Sequence, residues 1–128
     1  LVPSAVTDET KAEFANGEGT EENPFMIQTL DQLDDVRNNL DANYELGNDI
    51  DASDTSGWNN AEGFVPIGDD DSPFTGTFDG KGHNITGLHI DRPDESVVGM
   101  FGLIGDEGKV HDLRLEDLSI NGIILLVD

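Results

Sequence analysis

A chain of 128 residues with 28 acidic and 6 basic side chains, a formal net charge of −22, lacks the cationic footprint needed to bind bare nucleic acid or anionic membrane. It has no cysteine, which removes disulfides and thiolate metal sites. Its 35% apolar content supports one folded domain over residues 1–128, and its 15 glycines suit a structure with many corners.

The acids run from Asp8 to Asp128 and often alternate with apolar residues, as in Asp49-Ile-Asp51 and Leu115-Glu-Asp-Leu118. That pattern is an acidic, solvated surface over a folded core, and it reads as salt adaptation of the halophilic kind. A calcium-rich setting that neutralises the carboxylates is the alternative. No window approaches the ~18 consecutive apolar residues of a membrane span. The longest apolar run, Ile123-Ile124-Leu125-Leu126-Val127, is strand-sized. The start, Leu1-Val-Pro, has no initiator methionine and no basic lead into an apolar core. It reads as a processed chain, which leaves an export signal upstream open.

In chain order, residues 1–16 form an N-terminal arm whose apolar start, Leu1, Val2 and Val6, is demoted to an edge strand by Pro3. Pro24-Phe-Met-Ile-Gln28 predicts a strand with Phe25 and Ile27 on one face. Thr29-Leu-Asp-Gln32 fits a capping box. The stripe of Leu30, Leu33, Val36 and Leu40 then predicts a helix. Tyr44, Leu46 and Ile50 predict one strand with a shared apolar face. Residues 52–62 are a polar loop around Trp58.

Phe74-Thr-Gly-Thr-Phe-Asp-Gly80 and Ile85-Thr-Gly-Leu-His-Ile90 predict two strands on either side of a glycine corner. Ile85–Ile90 and Val110–Leu115 share a spacing of apolar residues at an offset of 25 (110 − 85), and Phe78 and Phe101 correspond at 23 (101 − 78). A repeat in the twenties is a solenoid signature, because one unit cannot bury its apolar face alone. Residues 118–127 start another coil, ending in an apolar strand over 123–128.

These residues resemble the GLUG-motif β-helices of bacterial and archaeal surface proteins and of the N-terminal regions of IgA-protease-like peptidases. The resemblance covers residues 17–122. It rests on Gly19-Thr-Glu-Glu-Asn-Pro-Phe-Met-Ile27, Tyr44-Glu-Leu46, Asn48-Asp-Ile-Asp51, Phe64-Val-Pro-Ile-Gly68, Phe74–Gly80 and Val98-Gly-Met-Phe-Gly102. It implies a mainly β fold, a right-handed parallel β-helix with one short N-terminal helix. It also implies an extracellular, structural or adhesive role without catalytic residues.

The residues point the same way on chemistry. There is no Gly-x-Ser-x-Gly or His-Glu-x-x-His motif, and no acid pair stands out among so many carboxylates. His83, His89 and His111 fall at different positions in the aligned repeats, which argues against a shared zinc site. No resident cofactor is expected. Asp49, Asp51 and Asp54, and separately Asp69, Asp70 and Asp71, offer hard oxygens and are the calcium candidates; surface loop acidity is the alternative. Trp58 is either a glycan contact or a lid folded onto the core. The five residues Phe25, Phe64, Phe74, Phe78 and Phe101 are assigned to the core.

Self-association is the leading expectation. Leu1, Val2, Val6 and Ile123 to Val127 are apolar segments at both ends of an acidic chain. Donated to the open strand edge of a neighbour, they would build a surface filament or adhesive layer by strand exchange. A monomeric module binding surface glycans or host molecules, and a fragment of a longer surface β-helix, are the alternatives.

Overall fold

The computed structural model describes residue 14, residues 16–95 and residues 99–121. Within them the fold is mainly β, and every strand pair is parallel. Strands β1 (Phe25–Ile27), β2 (Asn43–Leu46), β4 (Thr77–Asp79) and β7 (Lys109–His111) form one sheet in that order. Strands β3 (Ile50–Asp51), β5 (Asn84–Thr86) and β8 (Arg114–Glu116) form a second, and β6 (His89–Asp91) and β9 (Ser119–Asn121) a third. From β4 to β9 the chain visits the three sheets in turn twice, whereas β1, β2 and β3 enter only the first two.

Strands β4 to β9 are short, and only the middle residue of each faces inward. In β4, β5 and β6 that residue is Phe78, Ile85 and Ile90, each wholly buried between two partly exposed polar neighbours. Parallel register stacks these residues into columns. Phe25, Tyr44, Phe78 and Val110 align in the first sheet. Ile50, Ile85 and Leu115 align in the second, and Ile90 with Ile120 in the third. Aromatic contacts tie the first column together, with Tyr44 and Phe78 ring centroids 6.5 Å apart. Two isolated bridges, Ile67 to Phe101 and Phe74 to Ile104, continue the parallel stacking through the long loops.

Close stacking also explains a glycine. A Cβ on Gly76 would lie 1.8 Å from the Ala42 carbonyl oxygen, so only hydrogen fits where successive passes touch.

Four details depart from the sequence expectations. First, the repeat register is longer: Ile85 pairs with Leu115 and not with Val110, whose partner is Phe78. The offsets are 30 (115 − 85) and 32 (110 − 78), and Phe101 bridges to Ile67, not to the Phe78 position. Apolar columns and backbone bonding fix the pairing, while loops of unequal length absorb the difference at small entropic cost.

Second, the helix is shorter than its apolar stripe. The α-helix α1 spans Leu30–Asp34, and a 3₁₀ turn carries Asp35–Asn38. Its capping box is present, with the Gln32 N–H donating to Thr29 Oγ1 at 3.1 Å and the Thr29 N–H to Gln32 Oε1 at 3.1 Å. Asn38, Asn39 and Asp41 are weak helix formers, and the chain leaves the helical region at Asn39.

Third, Tyr44, Leu46 and Ile50 are all buried but not on one strand: a corner at Gly47-Asn48-Asp49 separates β2 from β3, which belong to different sheets. Fourth, Ile85 and Ile90 lie on two strands, β5 and β6, in different sheets, not on one. The first tier is covered. In chain order α1 takes the place that β3 takes in the next tier, and Leu33 and Val36 are wholly buried in the core. Phe14 stacks on Phe25 with centroids 4.7 Å apart, and the Met26 N–H donates to the Asn16 carbonyl.

The last tier has no such cover among the described residues. Val110, Leu113, Leu115 and Ile120 are only partly buried, and Leu118 is 43% exposed. Strands β7, β8 and β9 each have one neighbour and one open edge there. The arm residues Leu1, Val2 and Val6 and the segment Ile123 to Val127 lie outside the described residues.

Candidate functional site

The predicted calcium residues perform local structural work. Asp49 Oδ1 accepts the Asn84 N–H at 2.9 Å, bridging one tier to the next, and lies 3.3 Å from His83 Nδ1. Asp51 Oδ1 accepts the Ser53 N–H at 3.0 Å. That bond, with help from the Ser53 side chain, holds the Asp51 carboxyl below its usual value. Asp54 is exposed in the first turn of a 3₁₀ helix over Ser53–Gly57. Asp69 Oδ1 accepts the N–H groups of Asp71 and Ser72 at 3.0 and 2.8 Å, closing a turn. Asp69 and Asp70 line an open cleft of about 220 Å³ with Val65, Glu95 and Leu103.

Neither aspartate trio gathers its oxygens. Among the described residues, a cluster of three potential ligand atoms within 4.8 Å forms instead at Asp79, His111 and Asp112. His111 Nδ1 lies 3.0 Å from Asp112 Oδ2 and 3.8 Å from Asp79 Oδ1. The Lys81 ammonium is 4.0 Å from Asp79, and the Lys81 N–H donates to Asp79 Oδ1 at 2.9 Å, so this group is already supplied with donors. The cluster is invisible at the offset of 25, and the register of 32 that pairs Asp79 with His111 would have found it.

A broad, shallow concavity surrounds Trp58. It is an open cleft of about 510 Å³ lined by Asp31, Asp34, Arg37, Trp58, Asn59 and Val65. Its floor is built from the core outward. Phe64 is wholly buried; the Trp58 ring stacks beside it at 6.4 Å and 25°, and the Arg37 guanidinium lies 5.0 Å over its ring. Arg37 donates to Asp34 Oδ1 at 2.7 Å and to the Val65 carbonyl at 2.8 Å, fastening the helical segment to the loop. Trp58 therefore packs on the core as a lid and still presents part of its surface to the cleft.

The turn after Trp58 is strained. Asn59, Asn60 and Ala61 have φ of 53°, 56° and 70°, three consecutive left-handed residues that are not glycine. Such residues cost about 1–2 kcal/mol each, least for asparagine. Asn59 Nδ2 donates to the Gly63 carbonyl at 2.8 Å, and the Gly63 N–H donates to the Trp58 carbonyl at 2.9 Å, which holds the turn closed. Sequence reasoning singled out Trp58 but not Asp31, Asn59 or this backbone.

No family model matches the chain, and no solved structure matches it. Two curated proteins are similar to it. One is described as a Gly-rich membrane protein of Evansella cellulosilytica, 42% identical over 121 residues. The other is Halomucin of Haloquadratum walsbyi, 42% identical over 114 residues. These alignments cover 89% and 83% of this chain but only 14% and 1% of the relatives. No helix among the described residues is long and apolar enough to cross a membrane.

Proposed function

We propose that this chain is a non-enzymatic extracellular surface module, a right-handed parallel β-helix of the GLUG-motif kind, that assembles through its open last tier. The three sheets are then three faces of one coil. The columns Phe25–Tyr44–Phe78–Val110 and Ile50–Ile85–Leu115 support that reading, since a coil must present the same face at every turn. Neither relative bears the name of an enzyme, and one is named a membrane protein. Both favour a structural role at the cell surface.

The observation that carries the proposal is the loss of cover along the stack. Phe78, Ile85 and Ile90 are 0% exposed, whereas their column partners Val110, Leu115 and Ile120 are only partly buried. An apolar tier with open strand edges is a template for another strand. Strand exchange would supply it from a neighbour, through Leu1, Val2 and Val6 or through Ile123 to Val127, giving a filament or adhesive layer.

A second reading has its own support. The relatives are far longer than the matched stretch, which favours a module whose last tier is covered by more of the same polypeptide.

Negative-stain microscopy and size-exclusion chromatography separate the two. Fibres or oligomers from the unmodified chain, reduced to monomers by deletion of Leu1 to Val6 and by Ile120→Asp, support exchange. Monomers throughout, or fibres indifferent to both changes, sink it.

A further inference from the structure

The geometry points to a second function on the flank of the stack: a binding site for a neutral saccharide in the cleft at Trp58. This does not rest on the assembly reading, because the cleft lies on α1 and the 58–65 loop, away from the last tier.

Three features argue for it together. An aromatic ring braced from beneath is a preorganised stacking surface, and Phe64 braces Trp58. The cleft, at about 510 Å³, falls in the ~300–1,000 Å³ range of small-ligand sites. Its rim carries acceptors with no protein partner among the described residues, the Asp31 carboxylate and Asn59 Oδ1, which suit the hydroxyl donors of a sugar. The run of left-handed residues that presents Asn59 is the kind of strain that folded proteins keep at ligand sites.

Charge selects the class. Asp31 and the chain's net charge of −22 repel uronic or sialic acids. Arg37 lies in the same cleft with its guanidinium occupied by Asp34 and the Val65 carbonyl, so it offers no free clamp for an anion. A neutral pyranose chain, with an apolar ring face for Trp58 and hydroxyl edges for Asp31 and Asn59, matches this lining, and a cationic ligand drawn only by the acidic field is the outcome that salt separates from it.

Trp58 is the chain's single tryptophan, so its fluorescence reports on the cleft directly. The chain is titrated with cellohexaose, chitohexaose and mannohexaose at low and high salt. A saturable fluorescence change with one of them, retained in high salt, is expected. Calorimetry should show binding lost in Trp58→Ala. Because that change also removes packing on Phe64, Asp31→Ala is the companion variant: its side chain is exposed and outside the core. It should keep its melting temperature and bind about tenfold more weakly, a difference of about 1.4 kcal/mol. No response to any of the three oligosaccharides overturns the proposal. So does a folded Asp31→Ala that binds unchanged, or a response to oligolysine alone that salt abolishes.

Discussion

The third and fourth tiers are built from nearly the same words and end in different states. Thr77-Phe78-Asp79, Asn84-Ile85-Thr86 and His89-Ile90-Asp91 place one apolar residue between polar neighbours, and so do Lys109-Val110-His111, Arg114-Leu115-Glu116 and Ser119-Ile120-Asn121. In the third, β4 and β5 have a strand on both sides, β6 has β9 on one side and the Gly63 bridge to Ile90, and the apolar residues are sealed. Among the described residues the strands of the fourth have one neighbour each, and its apolar residues stay partly in water. Burial in this architecture is therefore a property of position in the stack, and a strand of given sequence contributes fully only when it is covered.

The sharpest way to break that comparison is truncation at matched positions. Ile85→Ala should cost about 2–5 kcal/mol, because a fully packed site leaves a cavity. Leu115→Ala, at a site already partly exposed, should cost about 1 kcal/mol in the same chemical denaturation experiment. Equal costs would mean that the last tier is covered in solution.

Salt asks whether packing or charge makes the difference. Raising ionic strength from 0.1 M to 1 M shortens the screening length from about 10 Å to about 3 Å. With a net charge of −22, overall stability should rise by about 1–2 kcal/mol. The gap between Ile85→Ala and Leu115→Ala should persist. A flat salt response contradicts self-repulsion, and a gap that closes in salt contradicts the packing account.

The smallest effect concerns Tyr44, which occupies the column position of Phe78 one tier earlier. Burial first, and then the charges of Asp35 and Asp41, push its hydroxyl well above the ordinary value, so the folded state keeps it neutral. The unfolded chain ionises near pH 10 and binds fewer protons above it. Tyr44 therefore gives its full stabilisation below about pH 10 and loses it as pH rises from there toward the folded-state value. Tyr44→Phe should cost about 1 kcal/mol at neutral pH, from the lost bond to the Asn39 carbonyl, and should flatten that alkaline loss. An unchanged alkaline limb in thermal melts would show that Tyr44 is not sealed.

Local features were legible in the sequence because their physics is local. Thr29 and Gln32 satisfy each other's backbone within one turn, and the three phenylalanines Phe64, Phe74 and Phe78 are as buried as their apolarity requires. The parallel pairing of β5 with β8 and of β4 with β7 sets offsets of 30 (115 − 85) and 32 (110 − 78), not the 25 that the apolar spacing suggests. Columns in this stack join residues 19 to 35 positions apart (44 − 25, 85 − 50), and no fixed spacing describes them.

By itself, then, the sequence determined which residues turn inward, where the one capped helix begins and that the surface is densely acidic. The tertiary structure decided which residues stack on which, because backbone bonding between passes sets register and loop length does not. It alone brought His111 to Asp79, braced Trp58 on Phe64 beside Asp31 and Asn59, and left one apolar tier covered on one side only among the described residues.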